Sequence, residues 1–415
     1  MNILFLTIGD FDNLEAGSVH VDLVKKFASM GHHVYVACKN ERPTCEKMAL
    51  ENITGISLLR IRTGAIKKNT NIIKKGISTI TLEGKYIKAI KSYYSDVKFD
   101  LVLYHTPPIT FQKVVSYIKK RDGAVSYLLL KDIFPQNAVD LGLMSKTGLR
   151  GFIYRYFRKK EIALYKTSDF IGCMSPANVA YLKAHNPYYQ GWRVEVAPNS
   201  IQLRSDTHEL GDKTAIREKY GLPADRPIFI YGGNLGKPQG IDFLMQCLDE
   251  NKYRKDCFFV VVGSGSEYPK LEAWLEEQKK KDDRKTLSVK LMQGLPKKDY
   301  DQLVWACDVG LIFLDHRFTI PNYPSRLLSY LENKMPVICA TDVHTDIGRI
   351  ADENGYGYWC ESVNPIHFSV LIDRFLAESG RIRTMGERGY EYLKKHYLVD
   401  HTYQTVMSHF KEVRS

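Results

Sequence analysis

The chain opens on a short apolar run, Asn2–Ile8 (NILFLTI), closed by Gly9 and Asp10, which predicts a buried strand. Over Ser18–Met30 the period changes. Val21, Val24, Phe27 and Ala28 share one helical face, Ser18 is a candidate N-cap, and Gly31 stops the helix. HVYVA (His33–Ala37) then returns to strand. A strand, turn, helix and strand of this length is the unit from which parallel sheets are built. Further strands are predicted at Ile56–Arg62, Asp100–Tyr104, Val125–Leu130, Phe170–Ser175 and Arg193–Pro198.

The interval Ser200–Pro227 is polar and reads as a surface connector. After it the alternation restarts. IFIYGG (Ile228–Gly233) precedes a helix near Gly240–Cys247, and FFVVVGSG (Phe258–Gly265) precedes a helix near Tyr268–Gln278. VKLMQG, DVGLIFL, PVICA and YGYWC supply the later strands. Two successive halves, each beginning with strand, glycine turn and helix, predict an α/β fold of two Rossmann-like domains. The expected boundaries are 1–200 and 201–397. The tail Ile382–Ser415 reads as helical with turns near Gly389 and Asp400, and its last helix, about 398–415, is expected to return to the first domain.

A length of 415 residues and an apolar share of 44% suit two folded domains. No apolar run reaches the roughly 18 residues of a membrane-spanning helix. The first residues lack the basic flank and cleavage site of a signal peptide, so a cytoplasmic protein is expected. Eight cysteines are scattered without a Cys-x-x-Cys pair. They read as reduced thiols, with Cys38, Cys173, Cys257, Cys339 and Cys360 in or beside apolar runs, and no metal site is predicted.

The net charge of +12 points to anionic partners: phosphorylated ligands, anionic lipid or nucleic acid. No nucleic-acid-binding module is recognisable, so no nucleic-acid partner is predicted. Eight lysines fall between Ile66 and Lys98. Six basic residues fall within Leu149–Lys166, interleaved with Phe152, Ile153, Tyr154, Tyr156 and Phe157. That second mixture suits an anionic membrane interface. Alternatively, Phe152, Ile153 and Phe157 belong to the core and the basic residues are simply solvated.

Ligands of open parallel sheets bind beyond the carboxyl ends of the strands, which directs attention to the residues just after each one. Beyond the first strand stand Gly9, Asp10 and the Ala16-Gly17-Ser18 turn into a helix. His105 ends the Asp100–Tyr104 strand, although a lone histidine is often structural. Asp132 follows Val125–Leu130, either facing a ligand hydroxyl or capping the turn at Pro135. GGNLGKPQG contributes Gly232, Gly233, Asn234, Gly236 and Lys237, glycines for close backbone approach and a cation for a pyrophosphate. Its spacing is neither G-x-G-x-x-G nor G-x-x-x-x-G-K-[ST], which disfavours nicotinamide enzymes and P-loop nucleotidases. Gly263 and Gly265 repeat the theme one strand later. Ser325 and Arg326 open a helix carrying Leu327, Leu328 and Leu331. A cation there opposes the helix dipole unless an anion is bound.

These motifs, in this order, resemble the retaining glycosyltransferases of family 4, of GT-B fold, and especially the bacterial subgroup assembling O-antigen and capsule. The resemblance spans essentially the whole chain. It rests on Ala16-Gly17, on DIFPQNAVDLGLM from Asp132, on APNS ending at Ser200, on GGNLGKPQG, and on PSR–LLSYLENKMPV. It implies two Rossmann-like domains facing each other across a cleft, the nucleotide sugar chiefly on the second and the acceptor on the first. The donor is a UDP-sugar by preference or a GDP-sugar, with no cofactor and no metal. Lys237 and Arg326 are implied to hold phosphate, beside Gly233, Asn234, Gly263, Gly265 and Ser325. Gly17 is implied to lie by the reacting sugar and Asp132, with His105, in the catalytic group. Asp10, Ala16 and Asn137 are assigned to the acceptor.

One position departs from the family. The glutamate that holds the donor ribose aligns with Ser329, and its upstream partner with Pro321. Glu332 lies one helical turn further on. The expected activity is transfer of a hexose or N-acetylhexosamine to a lipid-linked, polyprenyl-diphosphate-bound or other glycan acceptor, with a peripheral position at the inner face of the cytoplasmic membrane. The alternatives are a nucleotide-sugar 2-epimerase-like isomerase and a non-catalytic partner subunit.

Overall fold

A computed structural model describes the chain except residues 10, 12–13, 15–16, 41–48, 54, 64–71, 149–150, 188–192, 205–209, 282–285 and 412–415, with backbone alone at 49, 72–80, 379 and 411. It divides into two compact units. The first comprises Met1–Gln202 and Val399–Ser415, the second Leu203–Leu398.

The first unit is built on eight strands: β1 (Asn2–Leu6), β2 (His33–Asn40), β3 (Ala49–Ile53), β4 (Ile56–Arg62), β5 (Leu101–His105), β6 (Val125–Leu130), β7 (Phe170–Cys173) and β8 (Arg193–Val196). Their order is β3-β4-β2-β1-β5-β6-β7-β8, parallel except for the antiparallel β3–β4 edge pair. β1, β5 and β6 are buried almost throughout, as the continuous apolar runs require of a sheet covered on both faces. Helix α1 (Val19–Ser29) follows β1, with Ser18 as its N-cap accepting from the Val21 N–H. Chain order reverses between β1 and β5, which makes their carboxyl ends a topological switch point. In the same unit run α2 (Ile72–Tyr93), α3 (Gln112–Asp122), α4 (Gln136–Asp140), α5 (Gly151–Thr167) and α6 (Pro176–His185).

The second unit carries β9 (Ile228–Asn234), β10 (Phe258–Ser264), β11 (Val289–Gln293), β12 (Val309–Phe313), β13 (Val337–Thr341) and β14 (Gly357–Glu361), all parallel in the order β11-β10-β9-β12-β13-β14. Its switch point lies between β9 and β12. Its helices are α7 (Lys213–Lys219), α8 (Ile241–Asn251), α9 (Tyr268–Lys281), α10 (Lys297–Trp305), α11 (Arg326–Glu332), α12 (Ile347–Glu353), α13 (Pro365–Ala377) and α14 (Ile382–His396).

The terminal helix α15 (Val399–Lys411) belongs to the first unit. It lies on α1; the Tyr403 hydroxyl also meets Nε2 of His32, just beyond that helix, at 3.0 Å, and Thr402 meets Ser200, which follows β8, at 2.8 Å. Two sequence expectations are corrected. Gly389 makes no turn: α14 runs through it, and a Cβ there would stand 2.8 Å from Leu331 Cδ2, so this glycine serves close helix packing. The polar interval before Pro227 is more than a connector. It contains α7, whose Ile216 is buried and whose Arg217 pairs with Asp308 at 2.7 Å.

The seven described cysteines are free and buried. Among the described residues no helix is long and apolar enough to cross a membrane.

Candidate active site

In the first unit, candidate groups gather at the ends of β1, β5 and β6. His105 is 4% exposed, and its Nε2 meets Thr7 Oγ1 at 2.7 Å. That hydroxyl also accepts from the Gly9 N–H at 2.7 Å, and the His20 ring stacks on His105 with centroids 4.0 Å apart. His105 is therefore fixed by its neighbours. Thr106 ties the adjacent strand ends together: its hydroxyl donates to the Asp132 carbonyl at 2.9 Å and accepts from the Lys131 and Asp132 N–H groups.

The Asp132 carboxylate accepts from Asn137 Nδ2 at 2.8 Å, while Asn137 Oδ1 is buried without a hydrogen-bond partner. Burial pushes the Asp132 carboxyl up to about 6, against the opposing hydrogen bonds from Asn137 and from the Ile133 backbone. The capping alternative fails here. Pro135 is the N-cap of α4 and no side chain caps that helix. Asp132 is instead a partly desolvated carboxylate oriented by one amide. Beside it, the Lys131 ammonium donates to Asn199 Oδ1, and burial lowers it to about 7. Sequence reading passed over Lys131 and Thr106. The only signal was their position at the ends of buried strands.

Gly17 has φ +63°, in the region that favours glycine, immediately before the α1 cap. Asp10 and Ala16 lie outside the described residues. A cavity of about 170 Å³ adjoins Ile133 and is lined also by Gln136, Tyr154, Arg158, Glu161 and Tyr181.

In the second unit the glycine loops meet backbone to backbone. A Cβ on Gly263 would stand 1.8 Å from the Gly233 carbonyl oxygen, and one on Gly265 2.2 Å from that of Leu235. No side chain is tolerated at either place without moving the β9 loop. Gly233 itself has φ +120°. Asn234 is tied inward, its amide donating to Gln239 Oε1 at 3.0 Å. Lys237 is exposed on the short turn Lys237–Gln239.

Arg326, the first residue of α11, returns to this loop. Its guanidinium lies 4.2 Å from the Tyr231 ring centroid, and its Nη1 is buried without a hydrogen-bond partner. A Cβ on Gly233 would be 3.7 Å from Arg326 Cζ. Tyr330, on the same helix, accepts from the Gly232 N–H and donates to the Ile230 carbonyl, both at 3.1 Å, which fixes α11 against β9. Ser325 is exposed and caps nothing with its side chain. Ser329 is half-buried one turn beyond Arg326. Glu332 is engaged by Arg204, through Nη2 at 2.8 Å and through the backbone N–H at 3.0 Å. The structure thus brings Gly233, Gly263, Gly265 and Arg326 together in one unit, and Asp132 with Asn137 in the other.

Residues 212–392 match the family described as Glycosyl transferases group 1. The chain is 25% identical over 281 residues to Probable glycosyltransferase WbjE of Pseudomonas aeruginosa, an alignment covering 66% of this chain and 65% of that protein. It is 22% identical over 259 residues to WcaI of Escherichia coli K12, named as a colanic acid biosynthesis glycosyl transferase, covering 61% and 60%. The chain thus spans just under two thirds of the length of these curated relatives. Among solved structures it resembles sucrose-phosphate synthase from Thermosynechococcus elongatus, with a TM-score of 0.75 at 15% identity over 99% of this chain and 98% of the other. It also resembles Anabaena HepE in complex with UDP-glucose, with a TM-score of 0.65 at 13% identity over 99% and 100%. At such identities the likeness carries the fold, which is GT-B. The family match lies within the second unit, and both of these relatives are named as glycosyltransferases.

Proposed function

We propose that this chain is a retaining GT-B glycosyltransferase that moves a hexose or N-acetylhexosamine from a UDP-sugar to a lipid-linked or oligosaccharide acceptor in surface-polysaccharide assembly. The observation that carries the reading is Arg326. A guanidinium held against Tyr231, with a buried N–H left unpartnered beside a glycine loop, is a group awaiting an anion. The diphosphate of a nucleotide sugar supplies that anion. The UDP-glucose complex of the structurally similar HepE favours the uridine nucleotide over GDP.

In this reading Arg326 and Lys237 take up the charge that grows on the leaving diphosphate. Guanidinium and ammonium groups do this without a metal. Gly233, Gly263 and Gly265 keep the loop backbone open to the phosphates. In the first unit Asp132, held by Asn137, contacts the sugar or the acceptor hydroxyl, and Gly17 allows the chain to approach it. The leaving phosphate helps deprotonate the acceptor, so no protein nucleophile is needed. Activity at the inner face of the cytoplasmic membrane, on a polyprenyl-diphosphate-linked glycan, fits the same reading.

The test is a panel of UDP- and GDP-sugars offered to the purified protein, with nucleotide release followed alongside titration calorimetry of UDP and GDP. UDP binding with slow hydrolysis of one UDP-sugar is expected. Binding of neither nucleotide would reduce the chain to a scaffold, and isomerisation of the sugar without acceptor would make it an epimerase.

A further inference from the structure

Helix α5 has two unlike sides. Its inner side is core: Glu161, Leu164 and Tyr165 are buried, and Glu161 accepts from Arg158 at 2.6 Å and from the Tyr165 hydroxyl at 2.8 Å. Lys160 pairs with Glu83 at 3.3 Å. The outer side is apolar and exposed at once. Phe152 is 65% exposed, Ile153 53% and Tyr156 44%, and Leu143, in the segment between α4 and α5, is 58% exposed. The core alternative for Phe152 and Ile153 is thereby excluded. Phe157 does turn inward, half-buried, with its ring 5.1 Å from that of Phe134.

Phe152, Arg155, Tyr156 and Lys159 follow one another at three- and four-residue spacing and so share one side of the helix. Lys146, Arg155 and Lys159 are exposed and have no carboxylate partner among the described residues. The Arg155 guanidinium lies 4.4 Å from the Phe152 ring centroid. Glu161, the one acidic residue of the helix, is buried and already paired. Single exposed apolar residues are ordinary, but several on one stretch mark a binding surface.

We propose that the outer side of α5, with Leu143 and Lys146, docks the protein on an anionic bilayer. The apolar side chains enter the headgroup layer and the basic residues meet lipid phosphates. A nucleic acid could stack on Phe152 but would leave the aliphatic Ile153 and Leu143 without use, and the patch offers no acidic residue to a basic protein partner. The net charge of +12 draws the chain toward the same surface. None of these residues belongs to the sugar-transfer groups above, and the surface stands whether or not that reading does.

Co-sedimentation of the full chain with vesicles tests this without donor or acceptor. Binding is expected to vesicles of phosphatidylcholine mixed with phosphatidylglycerol, not to phosphatidylcholine alone, and is expected to weaken with salt. Arg155→Gln with Lys159→Gln should lower partitioning about twenty-five-fold, about fivefold for each basic residue. Phe152→Ser with Ile153→Ser should lower it by about tenfold or more. Both variants should keep the circular dichroism spectrum and the UDP affinity of the parent. Failure of the parent to sediment with anionic vesicles at low salt would overturn the proposal. So would unchanged partitioning in both folded variants, which would place the lipid contact elsewhere on this basic chain.

Discussion

Arg326 lies along the open side of Gly233: a Cβ on that glycine would sit 3.7 Å from the guanidinium carbon, and the guanidinium in turn covers the Tyr231 ring at 4.2 Å. The relationship joins the carboxyl end of β9 to the start of α11 and leaves one buried N–H of the arginine unspent. Arg326→Ala is expected to weaken UDP affinity about ten- to a hundredfold, the worth of a charge-assisted phosphate contact. Arg326→Lys should recover little, because an ammonium has neither the planar stacking nor the fork of donors. Exposed Lys237→Ala should fall at the lower end of the same range. Calorimetric titration reads all three. Unchanged affinity in both alanine variants would move the diphosphate away from this loop.

Gly263 supports that loop from beneath. An alanine there would drive its Cβ into the Gly233 carbonyl, 1.8 Å away, so the β9 turn must shift. Gly263→Ala is expected to cost about 1–3 kcal/mol of stability, as overpacking does, and to weaken UDP binding as well. A thermal melt with and without UDP separates the two effects. A variant with the parental melting temperature and affinity would show that the loop yields freely.

Asp132 should make transfer pH-dependent. Its carboxyl titrates near 6 in the folded chain against an ordinary 3.8, because burial disfavours the charge. If the carboxylate is the working form, transfer rises with pH through about 6. Asp132→Asn should lose most transfer along with that limb of the profile, yet bind UDP normally. The stability linkage has a definite sign. A raised acid contributes stability that is fully present below 3.8 and lost as pH rises through about 6. Asp132→Asn should therefore gain in melting temperature relative to the parent as pH rises across that window. Parental turnover in the variant would make Asp132 a structural residue.

The strands and glycine turns of both halves were legible because buried parallel strands are written as unbroken apolar runs, Ile228–Tyr231 and Phe258–Val262 among them. Helix α7 was not, because only Ile216 of its seven residues is buried and the segment reads as polar. Gly389 misled for the opposite reason: a helical glycine that admits Leu331 looks, in sequence, like a turn. Of the candidate site, Arg326 and the glycines could be named in advance. The Tyr231 partnership could not, since it depends on α11 lying across the end of β9. The raised Asp132 likewise depends on burial and on Asn137, five residues away, reaching back to it. Glu332 also looked available in sequence, until Arg204 was found holding it.

That last contact sharpens the question of the ribose. With Glu332 accepting from both the side chain and the backbone of Arg204, it is committed to structure within the second unit. Glu332→Gln is therefore expected to lower the melting temperature and leave UDP affinity nearly unchanged. In the family that the sequence resembles, the ribose-holding glutamate is expected at the position of Ser329, and a serine hydroxyl is shorter and uncharged. Ser329→Ala should cost under about 1 kcal/mol of UDP affinity, the net worth of one neutral hydrogen bond. Ser329→Glu offers two acceptors to vicinal hydroxyls and should tighten UDP relative to 2′,3′-dideoxy-UDP, which cannot use them. Titrating both nucleotides into both variants decides the matter. A large loss in Ser329→Ala that is absent with the dideoxy nucleotide would make Ser329 itself the principal ribose ligand. Equal affinities for the two nucleotides in Ser329→Glu would mean that the ribose does not reach this turn of α11.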